Sequence, residues 1–411
     1  RIVWVSNGLT SCGRCALGVV MPVNTVHSDY EVAAPKWLRA RDVLGGEDTL
    51  HLRAESYIPR LDSQSDEEYR AYVLRASFFN ATSRTLDGFD GLIQRRDPVI
   101  NVDGVEDSSK EMIGRMMADI DLGGVTLLES ARQILREVIG IGRVGTWVDW
   151  SADEGRSYWR NFSAENILNW SVGRVRGRTV LTRVVLSEMI QERLADDEFK
   201  EVSEERMLVL KLEQGSGESM VYTVESWMKV GGDGDKRWER SSVGVPSRHG
   251  VPLDFIPFVF HSSVGKSVRI VRGPLDDLIS VNLSHYRIDA DMKHGMHFTA
   301  LPTAWVSGFD KETELRIGAS SAWVTEQVGA TAGYLEFKGE GLSTLERALE
   351  HAEQLMGILG SRLLQVEKRA AEAAETVALK QSQESSVVGK MAICVSGSIT
   401  TALQMAYWWG T

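Results

Sequence analysis

Few residues in this chain stand at spacings that could do chemistry. Cys12-Gly-Arg-Cys15 has the C-x-x-C form, and the only other cysteine is Cys394. A zinc site built on it would need two further ligands at suitable spacing, and a redox motif would need a strand before it and a helix after it. Three cysteines in all fit a reducing compartment without a disulfide framework. Val264-Gly265-Lys266-Ser267 ends like a phosphate-binding loop. The full loop requires a glycine five residues before Gly265, and that position is Phe260. His294 and His297 are three apart on an expected helix and could share a face, but no third ligand accompanies them. There is no H-E-x-x-H and no G-x-S-x-G. Asn80, Asn161 and Asn282 open formal glycosylation sequons, which mean nothing without a secretory signal. The residue types therefore point away from catalysis, and no enzyme activity, metal or cofactor is expected.

Composition narrows the partners. The formal net charge of -11 argues against a protein that clamps DNA, because such affinity comes from neutralising phosphates. It is compatible with a wall that lets DNA slide past. Twelve tryptophans in 411 residues hint at interfaces, where this side chain is enriched. A chain of this length is expected to hold two or three sub-domains. Residues 391–411 carry no charge and are long enough to span a bilayer, yet Ser396, Ser398, Thr400, Thr401 and Gln404 make them too polar for a span. A helix buried in protein is the reading, with no membrane. Met21 opens a segment that reads like a normal start, so residues 1–20 are expected to be an extension.

Stepping from motifs to elements, the pattern after Met21 is helical. Helices are expected over residues 35–43, after a capping box at Ser65 and Glu68, and over 83–93, 109–120 and 125–139. The middle is β-rich. Val144, Thr146, Val148 and Trp150 alternate as in a half-buried strand, and further strands are expected over 179–186, 207–212 and 220–230. A long helix follows over 274–297, then strand-like pieces over 301–338. A second helix over 342–359 places Leu345, Leu349, Ala352 and Met356 on one stripe. A last helix is expected from about residue 371, with a bend at Gly389 or Gly397.

Three segments then carry a resemblance. YIPRLDSQSDEEYRAYVLRASFFNATSRTLDGFDGLIQRRDP (57–98), GPLDDLISVNLSHYRIDADMKHGMHFTALPTAWVSGFD (273–310) and AGYLEFKGEGLSTLERALEHAEQLMGILGSRLLQVEKRAAEAAETVALKQSQESSVV (332–388) resemble, in order, signatures of one branch of the tailed-bacteriophage portal family, a branch long known only as a domain of unknown function. The resemblance implies an α+β, portal-like fold. Residues 21–272 would be a helical and β wing, 273–297 a first stem helix and 298–340 a small α/β clip. Residues 341–359 would be a second stem helix, 360–370 a tunnel loop, and 371–411 long C-terminal helices returning to the wing. The family's crown is short or missing. Residues 1–20 match nothing in that plan.

The same resemblance implies a ring of twelve copies at the capsid vertex of a virion, assembled in the host cytoplasm. Double-stranded DNA would pass through its channel without sequence preference. A terminase, a head–tail adaptor and a major capsid or scaffold protein would be further partners. Leu345, Leu349 and Met356 would meet neighbouring subunits, with an internal core helix as the alternative. Arg362, Lys368 and Arg369 would touch phosphates while Glu367 keeps the wall from sticking, with a plain solvated face as the alternative. Trp305 and Trp323 would anchor an adaptor or fill a small clip core. Competing readings are another head–tail connector ring protein, and a DNA-packaging enzyme that would need a nucleotide loop or a metal-binding acidic cluster.

Overall fold

The computed structural model of the chain describes residues 22–95, 98–101, 107–194, 197–215, 219–231, 236–300, 303–308, 328–335, 341–364 and 387–410. The readings made on Cys12, Cys15, Trp323, Glu367, Lys368 and Arg369 lie outside these residues. The fold is mixed α+β. The leading helices are α1 (Ser28–Gly45), α2 (Glu47–Leu52), α3 (Ala54–Tyr57), α4 (Asp66–Arg75), α5 (Ala81–Ile93), α6 (Asp107–Ala118) and α7 (Leu127–Gly140). The strands that follow are β1 (Arg143–Ser151), β2 (Arg156–Ser163), β3 (Ile167–Val175), β4 (Arg178–Leu194), β5 (Asp197–Gln214), β6 (Met220–Val230), β7 (Arg237–Gly244), β8 (Ser247–Arg248), β9 (Val251–Pro252) and β10 (Phe258–Ser262). Then come α8 (Asp276–Ala300), β11 (Thr303–Ser307), β12 (Thr331–Leu335), α9 (Leu342–Leu364) and α10 (Val387–Gly410).

The chain divides into two compact units. The first draws on Arg1–Arg41, Thr85–Asp276 and Leu363–Thr411. It contains a three-stranded antiparallel sheet in the order β10-β1-β2 and a five-stranded antiparallel meander in the order β3-β4-β5-β6-β7. The alternating pattern of β1 predicts one wet face, but the strand is buried on both. Its Thr146 hydroxyl donates to Asn161 on the side of α7, where the Asn161 amide donates to Ser130. Trp147 points the other way and donates its indole N–H to the Tyr222 hydroxyl of β6. Gly145 is required by this double packing. A Cβ there would stand 2.2 Å from Phe258 and 2.8 Å from Ile167.

The helix α10 lies over this sheet. Val388, Met391, Val395, Ser398, Ala402, Ala406 and Trp409 form one buried stripe at three- and four-residue steps. The Ser157 hydroxyl of β2 donates to the Ala406 carbonyl across the contact. By length and composition α10 could cross a membrane, yet this face is committed to the sheet. Each large apolar side chain on it contributes about 2 kcal/mol by leaving water. The helix is continuous through Gly389 and Gly397. At the other end of the chain, α1 begins seven residues before Pro35 and carries that proline inside it. Ala33, Trp37 and Ala40 are buried along its length, so packing offsets the lost backbone hydrogen bond.

The second unit draws on Asp42–Arg84 and Asp277–Arg362. Here α4 opens with the capping box read in the sequence: Ser65 accepts from the Glu68 amide and the Glu68 carboxylate accepts from the Ser65 amide. The rest of this unit positions the candidate site.

Candidate functional site

The feature of the second unit with the most distinctive geometry is an antiparallel helix pair closed by a two-stranded ribbon. α8 and α9 approach each other where a Cβ on Gly295 would stand 2.9 Å from Leu342 Cδ2. Further along, His285 Nε2 lies 3.5 Å from a Glu353 carboxylate oxygen. Residue 295 matching 342 and 285 matching 353 makes the helices antiparallel. Between them, β11 pairs with β12 in register from Thr303 with Leu335 to Ser307 with Thr331.

One end of α8 is fastened by polar contacts. Asn282 is fully buried, accepts from both the amide and the hydroxyl of Thr82, and donates to the Phe79 carbonyl. The Arg287 guanidinium donates to the Tyr57 carbonyl, and the Ser77 amide donates to Asp289 at 2.7 Å. The Tyr72 hydroxyl donates to Asp291, and burial together with this carboxylate pushes the phenol pKa up. Leu278, Ile279, Leu283 and Tyr286 are buried in the same stretch. Toward its end the helix still bonds this unit, through Lys293 to Ser77 and His297 to Arg75, while Met296 and Phe298 are exposed, as are Trp305 and Tyr334 on the ribbon. The Trp305 ring lies across Gly333, its strand partner, within 3.1 Å of where a Cβ would be.

The residues singled out from sequence fall as follows. Leu349 and Met356 are 8% and 4% exposed within this single chain, and Leu345 is half-buried. Leu349 and Met356 are thus already covered within one chain. Exposed along α9 are Glu346, Arg347, Glu350, His351, Gln354 and Ile358, with Glu353 at the edge that meets His285. Arg362 sits in the last turn of α9, which continues to Leu364 where a loop was expected from residue 360. Trp305 is 44% exposed. His294 packs edge-on against Tyr72 and Phe298, and His297 bonds Arg75, so both rings are used in packing and hydrogen bonding. Among the described residues, no group of three or more His, Cys, Asp and Glu side chains could hold a metal ion.

The segment resembling a phosphate loop folds differently. Ser262 and Gly265 close a tight turn after β10, with Gly265 at a φ of 97°. The Lys266 ammonium donates to Thr401 of α10, and no helix begins until Asp276. The titratable groups most perturbed in the first unit are buried in its core. Burial pushes His261 down to about 3, and its ring bonds Ser398 and Thr146. Burial pushes Asp149 up to about 6 and Arg143 down to about 9. The Arg143 guanidinium lies 4.1 Å from the Trp170 ring centre and 4.2 Å from that of Phe260, and it donates to the Val268 carbonyl.

A family described as a domain of unknown function (DUF4055) matches residues 274–410. That span takes in α8, the ribbon, α9 and α10. No curated protein matches the chain. Among solved structures, a chain from the neck of an empty gene transfer agent particle is 12% identical, with a TM-score of 0.32 over 78% of each chain. A chain from the virion of a native gene transfer agent particle is 11% identical, with a TM-score of 0.32 over 86% of each. Likeness at that level does not fix a role.

Two features escaped the sequence reading. Asn282 was seen only as part of a sequon, although it fastens α8. The strands β4 and β5 also run far beyond the expected 179–186 and 207–212. Their outer halves are rich in Glu and Asp, residues that strands usually avoid, so no apolar alternation announced them.

Proposed function

We propose that this chain is a portal subunit of a tailed bacteriophage: copies assemble into a ring whose channel passes double-stranded DNA during packaging and ejection. The observation that carries the reading is the antiparallel pair α8 and α9, joined by the ribbon of β11 and β12 with its exposed Trp305 and Tyr334. This is the stem-and-clip order that the resembling segments imply, and the DUF4055 match falls on the same residues. In this reading Glu346, Glu350 and Glu353 give α9 a surface that repels phosphate, so DNA slides rather than sticks. Trp305 and Tyr334 at the ribbon would meet a head–tail adaptor or terminase, since exposed aromatics often anchor such contacts. The ring would hold twelve copies, act without a catalytic centre, and sit at a capsid vertex against the major capsid or scaffold protein. Mass photometry and negative-stain images of the purified chain test this. Closed rings with a central hole are expected. A monomer at every concentration tried, or a protein that hydrolyses ATP, would overturn it.

A further inference from the structure

The outer half of the β4–β5 pair is an arm. Strand β4 pairs with β3 only as far as Leu186, and β5 pairs with β6 only from Arg206 onward. Between those points β4 and β5 continue together, with Met189 opposite Glu205 and Arg193 opposite Glu201. A meander five strands wide thus narrows to a two-stranded ribbon about 25 Å long. Its root is held firmly. Glu188 is paired with both Arg160 and Arg206, and Lys229 reaches Glu205 at 2.6 Å. Past the root, Met189 is 63% exposed and Phe199 is 90% exposed. An isolated two-stranded ribbon is at best marginally stable in water, and its free edges invite another chain.

Charge says which chain. Residues 188–205 hold eight acidic side chains against two basic ones, and six of the acids remain beyond the paired Glu188 and Glu205 of the root. The other end of the same strand is the reverse: residues 174–183 hold four arginines and no acid. Arg174, Arg176, Arg178 and Arg183 are all exposed, and Asp254 lies 3.9 Å from Arg176. Seventeen residues of β4 keep its two ends about 55 Å apart, so the arm and the arginine-bearing turn of one copy do not meet along this strand. DNA is excluded as the occupant by the sign of the arm.

We infer that the acidic arm of one copy docks on the arginine-bearing β3–β4 turn of the next copy. A contact between two different patches of one chain is head-to-tail, and repeated with a closing rotation it builds a ring. The inference rests on the reading of the chain as a ring subunit and names the surfaces that join. The test uses charge reversal in the full chain. One variant carries Glu201→Arg with Glu204→Arg, a second carries Arg174→Glu with Arg178→Glu, and a third carries all four. Thermal melting checks that each folds, and mass photometry reads assembly. The first two should lose association at least about 10-fold, and the third should regain most of it, because the pairing is restored with its sign inverted. Rings unaffected by either reversal would overturn the arm contact while leaving the ring reading standing. So would a loss that the fourfold variant fails to rescue, which would mean that the arm meets a different basic partner. A wild-type chain that never assembles would overturn both.

Discussion

His261 in the first unit and Asn282 in the second are both fully buried polar residues that bind two elements together. They do it in different company. His261 sits under α10 in a sheet core where burial disfavours charge: the imidazole is held neutral, and the nearby strand β1 carries a carboxyl pushed up and a guanidinium pushed down. Asn282 sits in the first half of α8, whose last turns carry exposed side chains. The contrast separates a static scaffold from a presented element. In the core, His261 bonds Ser398 and Thr146. Along α8, polar contacts run from Asn282 to His297, and the exposed apolar groups Met296, Phe298 and Trp305 gather at and beyond its last turns.

The comparison can be broken most sharply with one residue type placed in both regions. Trp159 is 1% exposed and Trp305 is 44% exposed. Trp159→Ala should cost about 4 kcal/mol of stability, read from the midpoint of chemical denaturation. An unchanged midpoint would mean that the sheet core is not the tightly packed body described.

Acidification probes the same core through its two opposed groups. Burial pushes Asp149 up to about 6, so its stabilising share is full at low pH and is lost as pH rises through about 6. Burial pushes His261 down to about 3, so its share is full above the unfolded value of about 6.5 and is lost as pH falls toward about 3. Between about pH 4 and 6 the two slopes offset one another. Asp149→Asn removes one of them, so between pH 6 and 4 the variant should lose about 3 kcal/mol more than the parent chain. A variant whose pH dependence matches the parent's would show that Asp149 is ionised in the folded chain.

At the fastened end of α8, Asn282→Ala strands the buried amide of Thr82 and should cost about 2 kcal/mol. Hydrogen exchange should show the loosening along the fastened half of α8. Trp305→Ala is expected to change stability by no more than about 0.5 kcal/mol, yet to weaken capture of a head–tail partner in a pull-down from assembled particles. A large loss of stability there would move the ribbon from presented surface to core.

Much of this division could be read in the residues. The Ser65–Glu68 box, the stripe of Leu345, Leu349, Ala352 and Met356, and the uncharged helix of residues 391–410 all leave local periodic marks. What was hidden depends on contacts distant in sequence. Leu349 and Met356 have the same spacing whether a sister helix or a neighbouring subunit covers them. The double burial of β1 follows from β6 and α10 lying on opposite faces, which no window around Thr146 contains. The acidic arm violates strand composition, so hydrogen bonding to a partner strand, and not its side chains, makes it a strand.

The central claim is that α8 and α9 of successive copies stand around a common hole. A cryo-electron microscopy reconstruction of the purified assembly tests it directly. The account predicts a closed ring in which the solvent face of α9, with Glu346, Glu350 and Glu353, looks into the channel and Trp305 lies at one rim. A ring with these glutamates on its outer surface, or particles with no central channel, would contradict it.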